Sequence, residues 1–199
     1  MPVEVPPVKS AYRQIKTSIP VPESIQHLEY GYNLESRSMH GQFPIIWDRA
    51  EGFQVHDRWG NTWIDFSSTI FVANVGHGNP SIRSAINAVL EKPLLHTYTY
   101  FSHERIDYLH YLIEHTPTKF EKAFLVSSGT EATEVALKLM RLYGESIGKR
   151  RRGIICFEGN WHGRTVGAQL MSSNEEQKEW IGFTDPNIHH LPFPYPWCK

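Results

Sequence analysis

Much of what marks a specialised protein is missing from this chain, and each absence excludes something. Of 199 residues only Cys156 and Cys198 are cysteine, so no disulfide framework is expected, and Cys156, inside an apolar run, reads as a small buried residue. Neither sign of charge dominates: 20 Lys and Arg stand against 21 Asp and Glu. That balance removes the electrostatic case for nucleic acid or an anionic membrane surface. No uninterrupted apolar stretch reaches the ~18 residues of a membrane span, and the N-terminus lacks the basic start and apolar segment of a signal peptide. The expectation is no membrane partner and a reducing, cytoplasmic location. Neither H-E-x-x-H nor paired C-x-x-C spacing occurs, so the eleven histidines, His189 and His190 included, are expected to hold no metal. The glycine fingerprints of nucleotide binders, G-x-x-x-x-G-K-[ST] and G-x-G-x-x-G, are absent too.

What is present suffices for one ordinary core, or one core plus a small accessory lobe, since 40% of the residues are hydrophobic. Residues 1–43 read as an N-terminal arm, its first thirty residues rich in Pro and Val with little period. Residues 44–75 read as a small antiparallel meander. Strands are expected at 45–47, 53–56 and 62–66, with Asp57-Arg58-Trp59-Gly60-Asn61 as a turn. Asn79 and Pro80 suit the N-cap and first position of a helix carrying Ile82, Ile86 and Val89 on one face. A second helix is expected from about His103 to His115.

Residues 76–199 read as the first part of a larger domain. Strand 123–126, helix 131–143 closed by Gly144, and strand 153–157 alternate as in a mostly parallel sheet flanked by helices, an α/β fold. Ligands of such sheets bind at the carboxyl ends of the strands. Two segments fall there. Ser128, Gly129 and Thr130 open a helix, whose free amides and dipole suit a phosphate. Gly129 allows close approach, Thr130 offers an amide and a hydroxyl, and Ser128 offers a hydroxyl or a cap. Glu131 and Glu134 in the first turn fit the helix dipole and read as structural. After the next strand, Trp161 can stack on an aromatic ring and His162 can hydrogen-bond to a ring substituent or a loop carbonyl, while Gly163 permits a sharp turn. Each segment has a bland reading as an ordinary capped turn or as loop packing; their pairing favours a site.

With four such pieces in order, the chain resembles the class III aminotransferases, enzymes of fold type I that use pyridoxal 5′-phosphate. The pieces are Trp47-Asp48-Arg49-Ala50-Glu51-Gly52 with Val55-His56-Asp57 and Asp65; Asn74-Val75-Gly76-His77-Gly78-Asn79-Pro80; Ser128-Gly129-Thr130-Glu131-Ala132-Thr133-Glu134; and Trp161-His162-Gly163-Arg164-Thr165. The resemblance implies that Ser128, Gly129 and Thr130 hold the cofactor phosphate, and that Trp161, where the family more often has Tyr or Phe, stacks on its ring beside His162. It implies that Ile70, Phe71, Tyr98 and Tyr100 line the substrate pocket. It also implies a homodimer that passes an amino group from an amine or amino acid to a 2-oxo acid. Aminomutases, racemases and decarboxylases share this portion of the family and remain alternatives, as does a non-catalytic fragment. The family's Schiff-base lysine and pyridinium aspartate lie beyond the stacking segment. None of Lys119, Lys122, Lys138, Lys149, Lys178 or Lys199 has the lysine's context. The chain is therefore expected to be an N-terminal portion, a fragment or one half of a split enzyme, without a catalytic residue of its own and inactive alone.

Overall fold

Turn chemistry shapes the N-terminal half of the chain. The computed structural model describes residues 2–97 and 99–194. Strands β1 (Val8–Lys9), β2 (Gln14–Ile15), β3 (Arg49–Glu51), β4 (Gln54–His56) and β5 (Thr62–Ile64) form one sheet in the order β1-β2-β5-β4-β3, antiparallel throughout. A two-residue turn joins β3 to β4, with Gly52 at φ 56° supplying the left-handed conformation that a tight hairpin requires. Asp57 closes the next turn: its carboxylate accepts from the amides of Trp59 (2.9 Å) and Asn61 (2.8 Å) and from Asn61 Nδ2 (2.7 Å). Asn61, fully buried, also accepts from the amide of Lys16 (2.7 Å) and donates to Thr17 Oγ1 (2.8 Å). One side chain thus ties the N-terminal segment to the meander.

Two expectations for this half change. Residues 45–47 form no strand; pairing starts at Arg49, because the Gly52 turn sets the register. The arm is partly sheet, and it carries helix α1 (Ile25–Leu34), whose weak apolar period leaves no buried residue. After β5 the chain turns through α2 (Ser68–Phe71), where Ser68, Thr69, Ile70 and Phe71 all have positive φ, between 48° and 67°. Left-handed backbone costs about 1–2 kcal/mol per non-glycine residue. Asp65 supports it, accepting from the amides of Ser67 (3.1 Å) and Thr69 (3.0 Å) and from His77 Nε2 (2.8 Å). Helix α3 (Pro80–Leu90) begins as expected, Asn79 Oδ1 accepting from the amides of Ser81 and Ile82. Its apolar face, however, stays open to solvent.

The chain divides at Thr99, giving a first unit Met1–Thr99 and a second Tyr100–Lys199. In the second, α4 (His103–Glu114) starts on a Ser102 cap. Helix α5 (Gly129–Ser146) leads to β6 (Ile154–Phe157), and α6 (Val166–Met171) leads on to β7 (Ile188–Leu191). Strands β6 and β7 pair in parallel, Ile154 opposite Ile188. Leu137, Ile154, Cys156 and Met171 form the core, with Ile188 against it. Burial pushes the Cys156 thiol up, away from the reactive thiolate. Helix α5 runs through Gly144 to Ser146, and the chain turns at Gly148 (φ 72°), where the amides of Gly148 and Lys149 donate to the carbonyls of Glu145 and Gly144.

Of the expected mostly parallel sheet, the described residues hold one parallel pair. The larger sheet is antiparallel, and the parallel layer is the β6–β7 pair. Residues 123–126 form no strand, and Phe124, Leu125 and Val126 are exposed. A buried parallel strand exists only through ladders with its neighbours, and among the described residues none pairs with this segment. No helix among the described residues is long and apolar enough to cross a membrane.

Candidate functional site

The start of α5 is built from its own sequence. Ser128 is the N-cap; its Oγ accepts from the Glu131 amide (3.3 Å), and Glu131 Oε2 accepts from the amides of Ser127 (2.7 Å) and Ser128 (3.2 Å). This reciprocal box satisfies three donors at the helix start. The amides of Gly129 and Thr130 keep no acceptor among the described residues. A Cβ at Gly129 would meet nothing within 4 Å. Two free N–H groups at the positive end of an 18-residue helix, beside open space, fit an anionic phosphate.

The second segment is clamped to this turn. Gly163 is buried at φ 124°, and a Cβ there would stand 2.1 Å from Thr130 Oγ1. Only glycine lets the chain pass so close. Thr165 Oγ1 donates to Glu134 Oε1 and lies 3.1 Å from Thr130 Oγ1. The Thr165 proton being committed, the Thr130 hydroxyl donates to Thr165 in its turn. The expectation that the Thr130 hydroxyl is free for a ligand is thereby revised: its amide is the donor left over. Glu134 Oε1 also accepts from the Ala168 amide (3.1 Å), so one carboxylate of α5 caps the start of α6. A Cβ at Gly167 would meet Glu134 Oε2 at 2.3 Å.

Trp161 follows β6 with more than half its surface exposed, and the Arg164 guanidinium lies 5.7 Å from its ring centre. His162 is half-buried. Its amide donates to Ser172 Oγ (3.0 Å), and its Nε2 lies 3.0 Å from Asn160 Nδ2. Burial, assisted by nearby His190, holds the His162 pKa below the ordinary histidine value, so the ring is neutral at pH 7. An apolar groove of about 380 Å³ beside β6 is lined by Ala132, Ala136, Met140, Cys156, His162 and Met171.

Ile70 and Phe71 lie on the left-handed turn α2 of the first unit, each largely exposed. Tyr100 opens the second unit and is likewise exposed, while Tyr98 lies outside the described residues. The structure thus brings Thr130 together with Gly163 and Thr165, the turn that also carries Trp161 and His162. Glu134, Asn160, Thr165 and Gly167 were not singled out from sequence for the roles they play here. Only Glu134 had a local signal, as a first-turn acid, and it pointed to the dipole rather than to a second helix.

The chain has relatives among known proteins. The sequence model of a family described as aminotransferase class-III matches residues 36–199. The acetylornithine aminotransferase of Clostridium acetobutylicum is 36% identical over 141 residues, 70% of this chain and 36% of that protein. The ornithine aminotransferase of Bacillus cereus is 35% identical over 155 residues, 75% of this chain and 38% of that one. The crystal structure of an ornithine aminotransferase from Toxoplasma gondii superposes with a TM-score of 0.72 at 20% identity, over 83% of this chain and 39% of that one. That last likeness is one of fold, an α/β architecture. The matched segments cover well under half the length of each of these relatives.

Proposed function

The chain belongs to the class III aminotransferase family, and on that premise we propose that it is the N-terminal part of a pyridoxal-phosphate-dependent transaminase. The complete enzyme moves an amino group from an amine or amino acid to a 2-oxo acid. One observation carries this reading: the start of α5, with two unpartnered amides, is locked through Gly163, Thr165 and Glu134 to the segment bearing Trp161 and His162. A phosphate-sized anion and an aromatic ring are the two parts of such a cofactor, and the two segments suit one each.

In this reading the amides of Gly129 and Thr130 bind the phosphate, with Ser128 holding the helix start in register. Trp161 supports the flat face of the ring, and Arg164 keeps the indole in place. His162, neutral, orients the cofactor through its ring nitrogen. Ile70, Phe71, Tyr98 and Tyr100 shape the substrate side. When bound, the cofactor supplies an electron sink for the carbon that loses its proton. The lysine and aspartate that the chemistry requires belong to the remainder of the protein, which also supplies the neighbours of residues 123–126 in a mostly parallel large-domain sheet. In the complete protein residues 1–43 are the arm, 44–75 the meander and 76–199 the beginning of the cofactor domain. A cytoplasmic homodimer, without nucleic-acid or membrane partners, completes the proposal.

Acetylornithine and ornithine, the amino acids in the relatives' names, are the donors to try first. The complete protein is expected to bind pyridoxal phosphate and transfer nitrogen from one of them to a 2-oxo acid. Release of CO₂, or isomerisation without an acceptor, would favour the decarboxylase or mutase branch instead. The 199-residue chain alone is expected to show no borohydride-reducible absorbance band and no turnover; such a band would overturn the assignment of the lysine elsewhere.

A further inference from the structure

A small polar cluster behind His162 decides which of its ring nitrogens carries the proton. Asn160 Nδ2 lies 3.0 Å from His162 Nε2 and 3.0 Å from the Met171 carbonyl oxygen. That carbonyl also stands 3.0 Å from His190 Nε2. A carbonyl only accepts, so the amide must present its nitrogen there; turned over, it would set two lone-pair oxygens against each other. The Asn160 nitrogen has two hydrogens, one for Met171 and one for His162. His162 Nε2 therefore faces a donor and must itself accept. In a neutral imidazole that leaves the proton on Nδ1, and Nδ1 has no partner among the described residues. The loop is fixed on the other side too: the His162 amide donates to Ser172 Oγ, which donates to the Ala168 carbonyl. Asn160 Oδ1 is buried without a partner, so the two donor bonds alone orient the amide.

We propose that Asn160 is a positioning residue that holds His162 as its Nδ1–H tautomer, so that Nδ1–H is the single ring donor presented to a bound group. This rests on the reading of His162 as a cofactor contact and adds which nitrogen makes it. A histidine ligand is oriented in the same way when the partner of one nitrogen dictates the state of the other. Protonation of the ring would set an N–H against the Asn160 N–H, so the cluster opposes it; His190 is the other titratable group facing the ring.

Long-range ¹H–¹⁵N spectra of the complete protein test this, with His162 assigned by its loss in a His162→Gln variant. At pH 7 the wild type is expected to show Nδ1 protonated and Nε2 bare, with or without pyridoxal phosphate. An Nε2–H or doubly protonated ring would overturn the proposal. Asn160→Ala is expected to shift the tautomer ratio toward Nε2–H by about tenfold, the worth of one hydrogen bond. Asn160→Asp, which turns the donor into an acceptor, is expected to protonate Nε2. A folded variant of either kind that keeps the Nδ1–H pattern would overturn the role of Asn160; should neither fold, the wild-type spectrum alone decides. Cofactor retention on dialysis separates the two layers. If His162→Gln holds pyridoxal phosphate as firmly as wild type while the tautomer is as stated, the cofactor reading of His162 fails and the tautomer assignment stands.

Discussion

The two sheets of this chain were built under different rules. The antiparallel sheet of the first unit joins β3, β4 and β5 through short turns, and Asn61 fastens β2 to it. Every partner lies within the same ninety-nine residues. Among the described residues the second unit holds one parallel pair, and residues 123–126, equally apolar, find no partner. An antiparallel pair closes through two residues, whereas a parallel strand waits for a crossover and often for chain far away in sequence. Hydrophobicity alone therefore does not make a strand. What the second unit does complete is the junction of α5 with residues 163–168, where side-chain contacts substitute for a ladder.

Substitutions can break or sharpen that contrast. The largest effect is expected from Gly163→Ala, which drives a methyl group into Thr130 at a positive φ. It should cost about 3 kcal/mol or more by urea unfolding and release the start of α5 to hydrogen exchange, leaving β4 and β5 protected. Asn61→Ala is the counterpart in the first unit. Stripping the partners of the Lys16 amide and of Asp57 should cost about 2 kcal/mol, with exchange rising at β2 and β5 and unchanged in α5. Ser128→Ala removes half of the capping box and should cost about 1 kcal/mol, read as fraying of the first turn of α5. The smallest effect concerns acid. Burial pushes the Asp65 carboxyl up, but hydrogen bonds from His77, Ser67 and Thr69 outweigh it and hold its pKa below the usual carboxylate value. A depressed folded pKa gives stability that is present above the unfolded value, about 4, and is lost as pH falls through the folded one. The left-handed turn at Ser68–Phe71 should thus loosen below about pH 4. Asp65→Asn should flatten that acid limb in a pH series of exchange rates; an unchanged limb would show that the carboxylate does not support the turn.

Local signals were the legible part of the sequence. Asn79 and Pro80 marked the start of α3, Ser128 through Glu131 that of α5, and Asp57 through Asn61 a turn, because each acts within one turn of backbone. The four motifs led to the class III aminotransferases, the family the chain belongs to. The end of α5 was misplaced at Gly144 because a glycine carries no label saying whether its φ is positive; the chain turns at Gly148. The left-handed turn at Ile70 had no signal either, since β-branched residues ordinarily avoid it.

By itself, the sequence determined the caps, the hairpin turns, the buried character of Cys156 and the pairing of a phosphate-type helix start with an aromatic-histidine segment. Tertiary structure decided which apolar runs became strands and that the Thr130 hydroxyl is engaged. It also made Glu134 the cap of α6, and it set Asn160 and Met171 against His162. The reason is one of range. A cap or a turn is satisfied by residues three or four positions away, whereas a ladder, a clamp or a tautomer depends on groups that only folding brings to hydrogen-bond distance.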